Sequence, residues 1–408
     1  MLKRGEGISE EDFDLFQDSV DIGDFVAVTG TFFETKRKEK TIQISSWDML
    51  AKSLRPLPEK WHGLQDVEER FRKRYLDSLM NEGVKERFIL RSQIIALIRA
   101  FYAKEGFLEV DLPTLQTLAG GATAEPFKTH HNALDIDFYL TIAQELYLKE
   151  LLVGGFTKVF EIGKRFRNEG IDTTHNPEFT MLESNEAYAD AESQRDFIER
   201  LFKTVVKEVS GSTKFTFDGQ TIDTKGSFTV VTFYDLLRRY ALIPNPESLT
   251  RDEASIAAER LGVKVTPTDA LEKILDSIYK KTARPKLIQP TFIIHYPVAF
   301  NPFAKRLEND ETLIDRFQLV MGGVELVNAF SELNNPLDQK ARYLEEDKKG
   351  KAGEKEISPS DQEYLEAMEY GMPPNGGIGI GIDRFVMLLT DVKNIKEVIL
   401  FPTLKPKQ

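Results

Sequence analysis

Cysteine is absent from these 408 residues, which excludes disulfide scaffolds, thiolate metal sites and cysteine nucleophiles. Histidine is scarce. The five present (His62, His130, His131, His175, His295) never fall in HExxH spacing, which argues against a histidine-built metal site. With 18 prolines, 26 glycines, 41% hydrophobic and 29% charged residues, the chain is neither collagen-like nor mostly disordered. No apolar run approaches the roughly 18 residues a membrane span needs. The opening Met1-Leu2-Lys3-Arg4-Gly5 also lacks the apolar core of a secretion signal, so a cytoplasmic location without membrane contact is expected. Positive charge is in deficit, 54 basic against 66 acidic side chains for a net −12, which argues against a general nucleic-acid coat. Lys36-Arg37-Lys38-Glu39-Lys40 and Arg70-Phe71-Arg72-Lys73-Arg74 are local basic stretches that suit a phosphate grip or plain solvated charge equally well.

The length suffices for two domains, one with a large core. Phe25–Gly30 and Thr41–Ser45 flank a charged turn and predict a hairpin, too little for an independent β-domain. Leu54-Arg55-Pro56-Leu57-Pro58 then forms a stiff connector, so a first domain is expected over 1–63 and a second over 64–408. From 84 to 103 the period becomes helical. Leu90, Ile94, Leu97 and Phe101 form one apolar stripe, and Phe88, Ile95, Ile98 and Tyr102 a second. A helix apolar on two sides is either a deep core helix or one that gives a face to a second subunit. Phe107–Pro113 reads as a strand, 191–209 as a helix, about 246–285 as a helical insertion and 346–356 as an exposed loop.

Chemistry concentrates in three stretches. Between Val159 and Glu186, period two puts Glu161, Arg165, Arg167 and Glu169 on one strand face and Phe160, Ile162 and Phe166 on the other. A second strand places Phe179, Met181, Glu183 and Asn185 on one side. Paired, the two make a floor with Arg167, Glu169, Phe179 and Glu183, guanidinium for phosphate and ring for a base. The plainer reading is a solvated sheet face with ion pairs. In Gly377–Arg384 the spacing fits neither GxGxxG nor a P-loop. Gly377, Gly379 and Gly381 instead share a face and leave a bare strip for a planar base, isoleucines packing behind, before Arg384 opens a helix. A glycine-softened core strand with a surface arginine is the alternative. In the third stretch Gly322-Gly323 reads as a hairpin turn that brings Gln318 and Glu325 to one face. Asn328 and Glu332 have the opposite parity, so a bulge or strand end is required to unite all four. Acids beside a phosphate site suit magnesium; polar groups on an exposed hairpin suit no ligand at all.

The order of apolar helix and strand ending at Pro113, FRNEGIDTTHNPEF (166–179) and GIGIGIDR (377–384) resembles the three signature motifs of class II aminoacyl-tRNA synthetases. Gly120-Gly121-Ala122, Thr129–Leu134, Glu145–Lys149, Ser331–Asn334 and the Ser53–Gly63 link are similar to the lysyl-tRNA synthetase family, and the similarity covers nearly the whole chain. The resemblance implies an α+β fold, an antiparallel sheet with flanking helices, preceded by a partial OB-like anticodon-binding domain, and a homodimer through the first motif. It implies ATP, L-lysine and tRNA-Lys as substrates, with Mg2+ accompanying ATP. Arg167 would clamp the α-phosphate; Glu169, His175 and Asn176 would hold the nucleotide. Phe179 and Arg384 would sandwich adenine beside Gly381, Arg167 and Arg384 serving as the catalytic pair. Gly121, Glu145, Glu183, Asn185, Asn328 and Glu332 match the lysine positions, and Glu325 with Gln318 the metal positions. A ligand with two ammonium groups calls for several buried carboxylates, which supports the same reading.

Three departures stand out. Gln318 replaces the family's metal-binding glutamate, so weaker magnesium binding is expected. Asn185 replaces a tyrosine beside the lysine side chain, which implies a wider or wetter pocket. The early OB strands, with their base-stacking aromatics, are missing before Phe25, so weak anticodon recognition is expected. Lysine–tRNA ligation is the favoured reading. Adenylation of lysine or an analogue for another acceptor, and a weakly active regulatory paralogue, are the competing ones.

Overall fold

The computed structural model describes residues 1–58, 64–351, 353 and 357–407. The end of the 53–63 link and part of 346–356 therefore lie outside the described residues. The chain divides into two compact units, Met1–Lys85 and Glu86–Gln408.

In the first unit α1 (Glu10–Ser19) precedes β1 (Phe25–Glu34) and β2 (Lys40–Ala51), which pair antiparallel as the turn chemistry predicted. Ser9 caps α1 by accepting from the Asp12 amide, and Phe16 meets Trp47 edge-on at 5.2 Å. Short helices α2 (Val67–Arg72) and α3 (Arg74–Met80) follow, with Arg70 and Arg74 both bonded to the buried Asp77.

The second part contains, in chain order, α4 (Val84–Lys104), β3 (Leu108–Glu109), β4 (Leu115–Gln116), β5 (Lys128–His131), β6 (Ile136–Leu140), α5 (Glu145–Val153), β7 (Lys158–Phe166), β8 (Glu178–Ala187) and α6 (Ala191–Ser210). Then come β9 (Lys214–Phe217), β10 (Gln220–Asp223), β11 (Thr229–Thr232), α7 (Phe233–Leu236), α8 (Arg251–Arg260), α9 (Leu271–Thr282), β12 (Thr291–Pro297), β13 (Leu313–Met321) and β14 (Val324–Ser331). It closes with α10 (Pro336–Lys351), α11 (Gln362–Glu369), β15 (Asn375–Gly381) and α12 (Ile382–Leu389). The eight-stranded sheet runs β11-β12-β13-β14-β15-β8-β7-β3 and is antiparallel except at its two edges. This is the expected α+β arrangement.

Alternation along the strands sorts the sheet into two faces. Ile378, Ile380, Leu182, Phe160 and Leu319 turn backward into a core shared with α4, α6 and α12. The isoleucines do pack behind the glycine strand. A second core on the other side gathers Leu146 of α5 with residues of α7, α8 and α9 around Tyr296, Val320 and Phe330. The active surface lies beside that second core.

Two expectations need correction. The strand over Phe107–Pro113 shrinks to Leu108–Glu109 at the sheet edge, since only Leu108, Glu109 and the Val110 amide find partners on β7. The charged stretch from 346 is no loop as far as Lys351. It continues α10, where Gln339, Arg342, Tyr343 and Glu346 recur at helical spacing and are buried. A charge run hides a helix when one side of it is covered. In α4 the fully buried line is Ile94, Ile98 and Tyr102, drawn from both stripes, while Leu90, Ile95, Leu97 and Phe101 flank it half-covered.

Ile380→Ala, which empties a fully buried position behind the glycine strand, is expected to cost about 2–5 kcal/mol. Chemical denaturation of the variant beside the wild type measures it.

Candidate active site

The strand register lays out the floor in rows. Gln318, Asn328, Gly379, Glu183 and Glu161 face one another across β13, β14, β15, β8 and β7. The neighbouring row joins Gly377 to Asn185, and the one on the other side joins Gly381 to Met181 and Gly163. The bulge demanded by the parity of the third stretch exists. Leu319 pairs with Val327 but Val320 with Glu325, so Leu326 is the extra residue and Glu325 is turned to the side of Gln318 and Asn328.

Arginines gather where β7 ends. The Arg167 amide donates to Pro177 O, and its guanidinium lies over the Phe179 ring at 5.2 Å. Arg167 Nε is buried without a hydrogen-bond partner. Burial pulls this guanidinium below the ordinary arginine value, with Arg384 adding to the effect and Glu169, Glu183 and Glu325 opposing it. A half-buried cation with a buried idle donor suits an anion. Arg384, at the start of α12, reaches back to His175 Nε2 at 2.9 Å and to the carbonyls of Glu325 and Thr174. Asp383 fixes that helix start, accepting from the Thr180 amide at 2.7 Å and from Arg91 of α4. Gly381 is open, since a Cβ there would meet nothing nearer than Arg384 at 3.7 Å.

Not every expected nucleotide residue converges. Glu169 is exposed beyond the strand, and Asn176 turns its amide into its own loop, donating to Glu178 O at 2.6 Å. The bare strip is also shorter than expected. A Cβ at Gly377 would collide with the Glu332 carboxylate, and one at Gly379 with the Met181 methyl. Two of the three glycines therefore make room for the protein's own side chains, and only Gly381 leaves open floor.

The acids form two ion-paired groups, one on Lys149 and one on Arg165. Lys149 Nζ, wholly buried on α5, donates to Glu145 Oε1 at 2.7 Å and to Glu332 Oε2 at 2.8 Å, with the Phe303 and Tyr364 rings 4.9 and 5.4 Å away. Burial works against this ammonium, but Glu145 and then Glu332 outweigh it and hold its pKa well above the ordinary lysine value. Asn185 Nδ2 donates to Glu332 Oε1 at 3.0 Å and to Asn375 Oδ1. Glu183 Oε2 accepts from the Gln144 amide at 2.9 Å and from Arg165 Nε at 2.5 Å; Arg165 also bonds Glu161. Gly121, at φ +81°, packs against Glu145 and Ala143, where the positive φ favours glycine. Asn328 stands apart, its Oδ1 taken by Arg316 at 2.7 Å. Burial lifts the Glu145 carboxyl to about 8 despite Lys149, and burial raises Glu332 as well.

Lys149 and Arg165 are the pocket residues that sequence reasoning left out of the site. The four-residue step from Glu145 to Lys149 on a helix was a legible signal; Glu332, 183 residues away, was not. For a metal, Glu325 offers a half-buried carboxylate, while Gln318 Oε1 accepts from Tyr296 OH at 2.6 Å. Among the described residues no group of three His, Asp or Glu side chains converges as a cage. The donors fit a magnesium ion held mainly by phosphate oxygens, as that ion prefers.

Gly377→Ala is expected to push Glu332 off Asn185 and Lys149 and to cost about 1–3 kcal/mol. A crystal structure of the variant with both contacts intact would contradict this.

Comparison with known proteins points the same way as the geometry. The family model for tRNA synthetases class II (D, K and N) matches residues 66–405. The lysine–tRNA ligase of Pelotomaculum thermopropionicum is 49% identical over 403 residues, covering 98% of this chain and 79% of that protein. Those of Moorella thermoacetica and a Roseiflexus species are 49% and 48% identical, covering 97% and 100% of this chain and 81% and 83% of theirs. With its antiparallel sheet, its arginine-lined cleft and this extent of similarity, the chain belongs to the class II tRNA synthetases of the D, K and N group.

Proposed function

We propose that this chain activates L-lysine with ATP to lysyl-adenylate and transfers the lysyl group to the 3′ end of tRNA-Lys. The observation that carries the reading is the juxtaposition of Arg167, a half-buried cation with a buried idle donor, and the Glu145–Lys149–Glu332 and Glu183 acids on one sheet face. Its similarity to proteins named lysine–tRNA ligase supports the same substrate.

In the first step a lysine carboxylate oxygen attacks the α-phosphorus and pyrophosphate leaves. In the second the terminal ribose hydroxyl of the tRNA attacks the acyl carbon and AMP leaves. No covalent enzyme intermediate is required, so the protein's work is positioning and charge. Arg167 takes the α-phosphate and steadies the charge that develops there. Phe179 supplies a ring face for adenine, Arg384 covers it from α12, and Gly381 allows the base close to the backbone; His175 holds Arg384 in place. Glu169 and Asn176 reach the nucleotide after the 168–178 loop adjusts around it. Glu145, Glu183 and Glu332 receive the two ammonium groups, with Asn185 orienting Glu332, Gly121 allowing close approach, and Asn328 bordering the pocket across Gly379. Mg2+ bound with ATP would be held by Glu325 and weakly by Gln318, and supplies charge neutralisation on the phosphates.

A homodimer is part of the proposal, since Leu90, Ile95, Leu97 and Phe101 of α4 stay half-covered and Ile89 is exposed. A cytoplasmic setting goes with it; among the described residues no helix is long and apolar enough to cross a membrane.

Pyrophosphate–ATP exchange measured with each of the twenty amino acids is expected to respond to lysine, and charging to follow with tRNA-Lys. Exchange driven by another amino acid, or none, would overturn the reading. Arg167→Ala should lower lysine-dependent exchange by about 100- to 1,000-fold. Restoring a carboxylate with Gln318→Glu should lower the magnesium concentration needed for half-maximal exchange; an unchanged titration would remove Gln318 from the metal.

A further inference from the structure

The acids proposed for the ligand are already partly occupied by the protein itself. Lys149 uses one oxygen of Glu145 and one of Glu332, and Asn185 holds the other oxygen of Glu332. Among the described residues, Glu145 Oε2 has no hydrogen-bond partner. Lys149 is fully buried, so its ammonium has no water to return to and stays with these two carboxylates. The groups facing it come from several elements: Glu145 from α5, Glu332 after β14, Tyr364 from α11 and Tyr343 from α10, with Glu183 of β8 acting on Glu145.

We propose that Lys149 is a positioning residue for the amino-acid pocket: by holding one oxygen of Glu145 and one of Glu332 it fixes the unpartnered Glu145 Oε2, and Glu332 Oε1 beside its Asn185 donor, as acceptors for the ammonium groups of the ligand. The proposal rests on the lysine reading above and adds a residue that acts through the binding acids without touching the substrate. Without that shared cation the two buried carboxylates keep a proton between them to still higher pH, because like charges in a dry site oppose ionisation of the second. A protonated acid offers a ligand ammonium a weaker acceptor, and the proton must leave before lysine binds. Ligand affinity would then fall most where protons are plentiful.

The test is lysine-dependent pyrophosphate exchange between about pH 6.5 and 9.5 for the wild type, Lys149→Met, Lys149→Gln and Lys149→Arg. In the wild type the KM for lysine is expected to fall with rising pH about a midpoint near 8, where Glu145 is half ionised, and to level about one unit above it. Lys149→Met should raise KM about tenfold or more at pH 7.5 and carry the levelling to higher pH, with kcat at saturating lysine changed less than about threefold. Lys149→Gln keeps a donor without the charge and should behave like Lys149→Met. It gives the same reading should the methionine variant fail to fold. Lys149→Arg restores the charge and should bring KM back toward the wild type. A KM within twofold of the wild type and an unmoved pH profile in either uncharged variant, whatever its melting temperature, would overturn the role. Absence of lysine-dependent exchange in the wild type would instead refute the substrate reading.

Discussion

Taking a carboxylate out of water costs several kcal/mol unless a cation and hydrogen bonds go with it. Glu145, Glu161, Glu183 and Glu332 lie together against one face of the sheet, and two cations are buried with them. Lys149 joins Glu145 to Glu332, and Arg165 joins Glu161 to Glu183. With all six ionised the cluster keeps an excess of two negative charges, from four acids less two cations, which balances the two positive charges of a ligand's ammonium groups. Its stability and its selectivity rest on the same ion pairs. Removing one partner from such a pair typically costs about 3–5 kcal/mol, so these contacts hold the floor of the site as well as its chemistry.

The sheet makes this arrangement affordable by separating its duties. One face is apolar and packed by three helices, which fixes the strands. The other carries the charge. Glycines mediate between them: Gly163 gives Arg165 and Glu161 room to cross the strand, and Gly377 does so for Glu332. Each is a place where a side chain from elsewhere lies flat on the backbone, which no residue with a Cβ permits at these distances. The bulge at Leu326 then turns Glu325 onto the face that carries Asn328 and Gln318. One inserted residue changes which side of the sheet a carboxylate serves.

Arg167 is the counterpart of the acid cluster. Its guanidinium lies over Phe179 with Nε buried and idle, whereas Arg165, two residues earlier in β7, is saturated by acids. Two neighbouring arginines at the end of β7 thus differ in kind, one structural and closed, one open to an anion. Asp383, tied to the Thr180 amide and to Arg91, sets the end of α12 from which Arg384 projects. The arginine end and the acid end of the cleft are therefore built from opposite charge on one continuous floor.

Much of this was legible in the sequence where it depended on local period. The alternation over 159–185 gave the correct face for Glu161, Arg165, Phe179 and Glu183, and Gly322-Gly323 set the turn that pairs β13 with β14. The parity conflict between Glu325 and Asn328 even called for a bulge or a strand end, and the fold supplies the bulge. A period of two or 3.6 fixes which side a residue faces, because it is a property of the backbone. It cannot say which distant group stands opposite. That Lys149 meets Glu332, that Glu332 fills the space over Gly377, that Asn176 turns back into its loop and that the charged run after Pro336 is a half-buried helix were decided by packing between segments far apart in the chain. The sequence by itself determined the elements, their faces and the chemical character of the cleft; only the tertiary structure decided the pairing of buried charges, since each buried ion takes whatever counter-charge the fold brings within reach.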